Sequence, residues 1–284
     1  MNVLQMQAIK KAGQIRTKLK LNMFEPLNIF NACSELEIPV RFIDVSMEGM
    51  YLNQGGGTNP TILLSSLRPF PRRVYTCAHE LGHHVFEHGT KIDGLSDENT
   101  SEAIYDKDEY LVDTFAGALL MPIAGIEAAF AQRDWNIRNA TPIQFFTIAS
   151  IFSTGYSTLV THCRVNGLIN DAKALGLQKL TPGKILQQLV GATSERPHFK
   201  IIDEKADVSV IDIETGDYLF LPEHTVIEGN HLNKMKSAEV GDAFIANRPG
   251  VVRAMVGSKG YFIRIQNAGY TGLAEYRHLE TESD

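Results

Sequence analysis

Basic charge is in short supply: 27 Lys and Arg stand against 33 Asp and Glu, for a net charge of −6. That balance excludes a chain that grips nucleic acid non-specifically over its whole surface, while leaving room for a local basic patch. Cysteine is scarce too, with three in 284 residues. Cys33, Cys77 and Cys163 form no C-x-x-C pair, which excludes a disulfide framework and points to a reducing compartment. No apolar run between Met1 and Lys20 is long enough for a signal peptide or a membrane span. The expected location is cytoplasmic, with no membrane partner. Phosphate loops are lacking as well: no G-K-[ST] follows Gly55-Gly56-Gly57 and no G-x-G-x-x-G occurs, so the triple glycine reads as a hairpin loop. What is present is an ordinary globular composition, 44 % hydrophobic over 284 residues, enough for one large domain or two smaller ones.

Against that background one stretch organises the rest, Thr76 to His84, which contains His79-Glu80-Leu81-Gly82-His83, an H-E-x-x-H motif. On a helix a spacing of four residues puts His79 and His83 on one face, about 6 Å apart along the axis. Both imidazoles can then reach one tetrahedral zinc at roughly 2.0–2.1 Å. Zinc at such a site brings the pKa of water to about 7, and Glu80, one residue on, is placed to take the proton. Val74, Tyr75, Cys77 and Ala78 make an apolar approach, so these histidines are expected to be buried and to need partners. A second motif overlaps the first: His84-Val85-Phe86-Glu87-His88 reads H-x-x-E-H, the inverted zincin order. Its face is turned about 100° from His83, so the two pairs cannot serve one metal. The first pair is favoured, with Gly82 suited to close packing beneath the site, and His84 and His88 are expected on a polar outer face. The longer H-E-x-x-H-x-x-G-x-x-H pattern fails at Phe86 and Gly89. The third ligand must come from elsewhere.

Around this motif the periodicity is mixed. Residues 4–20 and Glu25 to Leu36 read as amphipathic helices. Val40–Val45, Gly49–Leu52 and Thr61–Ser65 read as three short strands, closed by Pro69 and Pro71. Residues 87–113 are acidic and read as a solvated loop leading into a helix. From Glu109 an apolar stripe through Leu111, Phe115, Ala118 and Leu119 predicts a helix stopped by Pro122. Glu109, near its start, can complete a site of two histidines and one glutamate. A carboxylate favoured by the helix dipole would sit at the same place without any metal.

His79-Glu80-Leu81-Gly82-His83, followed by Glu109-x-x-x-Asp113-x-Phe115-Ala116-x-x-Leu119-Leu120-Met121-Pro122, resembles the ImmA/IrrE family of metallopeptidases over about residues 25–170. The family pattern is H-E-x-x-H followed by roughly E-x-x-A-N-x-F-A-x-x-L-L-M-P. The resemblance implies zinc held by His79, His83 and Glu109, with Glu80 as the catalytic base. Val112 stands where the family has Ala, and Asp113 where it has Asn. An aspartate there can orient a ligand imidazole as well as Asn would. The resemblance further implies an endopeptidase with few substrates, commonly a helix-turn-helix transcriptional repressor whose cleavage switches genes on in stress, phage or mobile-element contexts.

Residues 141–169 carry a helix, a short turn at Ser153-Thr154-Gly155 and a second helix, a helix-turn-helix shape. Its second helix offers few base-reading side chains, Thr158, His162, Arg164 and Asn166, so a structural role is favoured. Tyr156 and His162 are candidate oxyanion stabilisers. Leu180–Leu189 predicts a helix capped at Thr181, and Ala192–Pro197 a linker. Beyond it, short alternating segments from His198 to Gln266, separated by glycines, predict a small, mostly β module. Tyr261 and Phe262 with its basic residues permit a small-molecule or single-stranded nucleic-acid ligand there. The expected whole is therefore α+β: a zincin-like metallopeptidase domain over 1–191, with a small mixed sheet and the helix-turn-helix-like segment, then a mostly β sensor or regulatory domain over 198–284. The rival expectation is a non-catalytic regulatory binding protein whose zinc is structural.

Overall fold

The computed structural model describes residues 2–53, 59–93, 106–191 and 198–279. They fall into two compact units, Met1–Pro122 with Gly269–Tyr276, and Ile123–Ala268 with Arg277–Asp284.

The first unit opens with α1 (Val3–Lys18) and α2 (Ile29–Glu35), followed by β1 (Val40–Ile43), β2 (Gly49–Leu52), β3 (Thr61–Ser65), α3 (Phe70–Val85), β4 (Lys91–Asp93) and α4 (Lys107–Leu120). The α1 helix starts where the Asn2 side chain accepts from Gln5 N–H, and α2 where Asn28 accepts from Asn31 N–H, both ordinary side-chain caps. A single sheet runs in the order β13-β1-β3-β2-β4, where β13 is Gly272–Leu273 near the far end of the chain. Within it β1 and β3 are parallel and the other pairs antiparallel. The expectation of three strands is thus corrected to five. β4 and β13 are three and two residues long, too short to show a period of two. β13 is recruited by tertiary contact: Gly272 pairs with Phe42 and Leu273 with Arg41, while the Tyr270 ring stands edge-on to Phe42 at 6.2 Å.

Alternation in the sheet buries Val40, Phe42, Tyr51, Ile62 and Leu64, and α3 packs on β2 and β3. α1 lies along α4, and one residue of α1 departs from a simple amphipathic reading. Arg16 is fully buried. Its guanidinium donates to the Leu119 carbonyl at 2.7 Å and the Asn22 carbonyl at 2.6 Å, and also to the Glu25 carbonyl. It therefore closes an end carbonyl of α4 that the helix itself leaves open. Burial lowers its pKa to about 10, against the pull of Glu25.

The second unit contains α5 (Ile123–Ala131), α6 (Pro142–Ile151), α7 (Tyr156–Val165), α8 (Asp171–Gln178) and α9 (Pro182–Val190). Pro122 ends α4 as expected, and α5 begins directly after it. α6 carries a complete capping box between Thr141 and Gln144, and α6 and α7 meet at 98°, the helix-turn-helix angle. Thr181 caps α9, with Pro182 in its first turn.

Eight strands follow: β5 (Phe199–Ile201), β6 (Val210–Glu214), β7 (Tyr218–Leu221), β8 (Val226–Glu228), β9 (Leu232–Lys234), β10 (Asp242–Ala246), β11 (Gly250–Val256) and β12 (Lys259–Gln266). They form two four-stranded sheets, β5-β7-β10-β9 and β6-β12-β11-β8. The α+β class and the β-rich C-terminal part are as the sequence indicates. α6 docks on β5. Phe146 of α6 stacks face to face on Phe199 with ring centres 3.8 Å apart, Ser150 Oγ accepts from Ile201 N–H at 3.0 Å, and Arg133 makes a two-pronged contact with Asp203 at 2.6 and 2.5 Å. The expected linker at 192–197 and the triple glycine at 55–57 lie outside the described residues, as does most of the acidic stretch before Asp106.

Candidate metal centre

The centre lies where α3 meets α4. Pro71 sits in the first turn of α3, where its missing N–H costs nothing. The helix then buries Val74, Cys77, Ala78 and Leu81 together with His79, Glu80 and His83. α4 starts at Asp106, whose carboxylate accepts from Asp108 N–H at 2.8 Å. Asp108 and Glu109 occupy its first turn, where negative charge is favoured.

The close approach of the two helices depends on Gly82. A Cβ there would stand 2.9 Å from Val112 Cβ and 3.2 Å from Phe115 Cδ1, closer than packed carbons tolerate. This is what the glycine between the two histidines does: it lets α4 come near enough to present Glu109. Gly82→Ala is expected to cost about 1–3 kcal/mol through overpacking, and adding Val112→Ala, which restores the family's residue, is expected to recover the part due to Val112 Cγ1 at 3.0 Å, its Cβ staying in place. A thermal-unfolding double-mutant cycle checks this. An equal cost with Val or Ala at 112 would show that this contact does not limit the approach.

His79, His83 and Glu109 offer three ligand atoms that all lie within 4.8 Å of one another. His79 Nε2 is 3.2 Å from His83 Nε2 and 3.1 Å from Glu109 Oε2, and His83 Nε2 is 3.7 Å from Glu109 Oε1. Neighbouring ligand atoms around one tetrahedral ion, each about 2.0–2.1 Å from it, stand about 3.3 Å apart. The spacing fits. Both histidines are buried and Glu109 is partly exposed, so the cluster has a closed base and one open side.

The remaining polar groups sort by which ring nitrogen they touch. Asp113 Oδ1 is 2.9 Å from His79 Nδ1, so the aspartate that stands where the family has Asn orients this imidazole. Tyr75 Oη also lies near Asp113, 3.3 Å from its carbonyl and 3.4 Å from Oδ1. Burial first, and then the Asp113 carboxylate, push the Tyr75 hydroxyl's pKa upward. Glu80 is fully buried and seated against β2. A Cβ at Gly49 would come within 2.9 Å of Glu80 Oε1 and 2.5 Å of Thr76 Cγ2. A glycine at 49 therefore leaves the space the Glu80 carboxylate occupies, a role the sequence carries no local signal for.

His84 and His88 part company. His84 Nδ1 meets the Tyr51 hydroxyl at 2.8 Å. Burial, with Lys18 adding to it, lowers the His84 pKa, and burial raises that of Tyr51, so the pair is neutral. His88 turns the other way. Its Nδ1 is 3.1 Å from His83 Nδ1, and its side chain is only 11 % exposed, which corrects the expectation of a polar outer face. Among the described residues His84 and His88 form no metal cluster of their own. Of the two oxyanion candidates, Tyr156 is committed elsewhere: its buried hydroxyl donates to the Leu177 carbonyl at 2.8 Å. His162 lies 3.5 Å from the Asn166 side-chain amide.

Two helices that bring an H-E-x-x-H face against a carboxylate define a metallopeptidase-type domain. Residues 33–162 match the family model Peptidase_M78, the IrrE N-terminal-like domain. Over those residues the match supports the resemblance to the ImmA/IrrE family. No curated protein matches the sequence.

Proposed function

We propose that the protein is a zinc-dependent endopeptidase that cleaves a specific transcriptional repressor, of the helix-turn-helix type, and so releases stress, phage or mobile-element genes. The observation that carries the reading is the convergence of His79, His83 and Glu109 beside a buried glutamate, Glu80, that is not one of the donors. A structural zinc is usually closed by four protein ligands and needs no base. Among the described residues three donors converge, and in this reading a fourth position would take water and substrate. Zinc held by these three would supply the Lewis acid for the reaction. His79 and His83 would hold it through their facing Nε2 atoms, and Asp113 orients the first of them. Glu80 takes the proton from the attacking water on its carboxylate and delivers it to the leaving amine, one group acting in both directions. The burial of Glu80 keeps bulk water from competing for that proton. In the same reading, residues 1–191 cut, and residues 198–284 sense a signal, a small molecule or a nucleic acid, in the cytoplasm.

The test begins with metal. Purified full-length protein is expected to hold about one zinc per chain, and His83→Ala and Glu109→Ala are expected to lose it, since each removes one of a small set of ligands. Elemental analysis reads the result. Full zinc retention in both variants would remove the assignment. Co-expression with a small helix-turn-helix repressor encoded beside the gene then tests cleavage, with fragments identified by mass.

A further inference from the structure

We infer that His88 is a positioning residue for the metal centre: it accepts the Nδ1 proton of His83 and thereby fixes which nitrogen of His83 faces the metal. The inference rests on the reading of His79, His83 and Glu109 as ligands.

The backbone builds the contact first. α3 ends at Val85, and Glu87 follows in the left-handed region with φ 59°. His88 N–H then donates to the His83 carbonyl at 3.0 Å, and Glu87 N–H to the His84 carbonyl at 3.1 Å. These two bonds make a Schellman cap. The usual glycine at the left-handed position is a glutamate here, so the turn is held at some strain. The reversal carries the His88 ring back under the helix it has just left. His88 Nδ1 arrives 3.1 Å from His83 Nδ1, with ring centres 5.3 Å apart.

The proton arrangement follows from valence. His83 Nε2 faces His79 Nε2 and the Glu109 carboxylate. A nitrogen that gives its lone pair to a metal carries no proton, so the single proton of neutral His83 sits on Nδ1. His83 is fully buried, and its Nδ1–H must find an acceptor within the protein. His88 Nδ1 is at hydrogen-bond distance and can accept only if its own proton is on Nε2. Asp108 favours that form: its Oδ1 lies 3.7 Å from His88 Nε2, and a carboxylate there attracts the N–H side of the ring. The two ligand histidines thus have different outer partners. His79 leans on the Asp113 carboxylate, and His83 on the His88 imidazole, whose other nitrogen faces Asp108.

A purely structural role for His88 is the competing explanation, because its ring also stacks on Phe86 at 5.8 Å and 22°. Three full-length variants separate the two. His88→Asn keeps an acceptor near the Nδ1 position and loses the ring. His88→Leu has nearly the shape of Asn and no acceptor. His88→Phe keeps the ring and loses the acceptor. Zinc affinity is measured by competition with a chromogenic chelator. In addition, proton NMR of each zinc-loaded variant looks for the low-field His83 ring N–H. Outer-shell partners typically affect metal affinity by about 10–100-fold. The expected result is a loss of that size in His88→Leu and His88→Phe, with His88→Asn close to wild type and the low-field proton kept only in wild type and His88→Asn. Wild-type affinity in all three variants, equal losses in all three, or a loss in Asn and Leu with Phe unchanged would each overturn the inference. If His88→Phe does not fold, the Asn and Leu pair decides. Failure of the wild type to bind zinc at all would instead remove the metal-site reading on which the inference stands.

Discussion

Glu80→Gln is expected to lower the cleavage rate by about 10²–10⁴ while leaving zinc bound and the melting temperature nearly unchanged. Glutamine has the shape of glutamate and fits the space beside Gly49 and Thr76. It cannot take up a proton at the attacking water, which is the step assigned to this side chain. Its neutrality does not empty the metal site, because the donor atoms come from His79, His83 and Glu109. Zinc content, circular dichroism and fragment formation, measured on the same preparation, separate these effects. Undiminished cleavage by Glu80→Gln would take Glu80 out of the mechanism. Loss of zinc in the variant would show instead that Glu80 is part of the ligand set.

The second large effect is expected far along the chain, in the β-rich unit. Asp212 of β6 is buried and accepts two bonds from Arg264 of the paired strand β12, both at 2.7 Å, and a third from Arg277 at 3.1 Å. Burial alone would raise its pKa, but the guanidiniums of Arg277 and Arg264 outweigh that and hold it well below the carboxylate range. Removing one member of a buried ion cluster leaves the others uncompensated, at about 3–5 kcal/mol. Asp212→Asn should therefore lower the melting temperature of this unit by about 6–20 °C, at about 2–4 °C per kcal/mol. The pH dependence gives a second reading. A depressed carboxylate stabilises fully above its unfolded pKa, about 3.9, and the contribution is lost as pH falls below that. Wild type should lose stability on acidification more steeply than Asp212→Asn. Lys200 adds a slope of the same sign in a separate, alkaline window: burial lowers its pKa to about 8 from 10.5, against the pull of Asp212 and Asp217. Its charge is then a cost below that pH, and the cost is relieved as pH rises from about 8 through 10.5. A variant that melts like wild type at pH 7 would show that the cluster is not a stability determinant.

The sheets illustrate how far pattern carries. β2 and β3 have the bounds expected from their residues, because alternation and flanking turns are local properties. Arg16 shows the limit. Its place in a lysine-rich helix suggests a solvated face, yet it is buried against carbonyls at 22, 25 and 119. A long side chain with several donors can be the cheapest way to satisfy carbonyls that a helix end and a loop leave open, and nothing within α1 announces that need.

What the sequence by itself determined about this protein is the H-E-x-x-H helix, the start of the second motif at Glu109, the cap at Thr181, and the change from helical to β periodicity after residue 198. Each depends on residues within a turn or a strand of one another, where period, capping and proline geometry act directly. Only the tertiary structure decided that His88 turns to His83 and His84 to Tyr51, that Gly82 and Gly49 clear the space for α4 and for Glu80, and that residues 272–273 return to the first sheet. Those outcomes depend on which surfaces meet across tens to hundreds of residues, and a contact of that kind is settled by packing and by the need to satisfy buried polar groups.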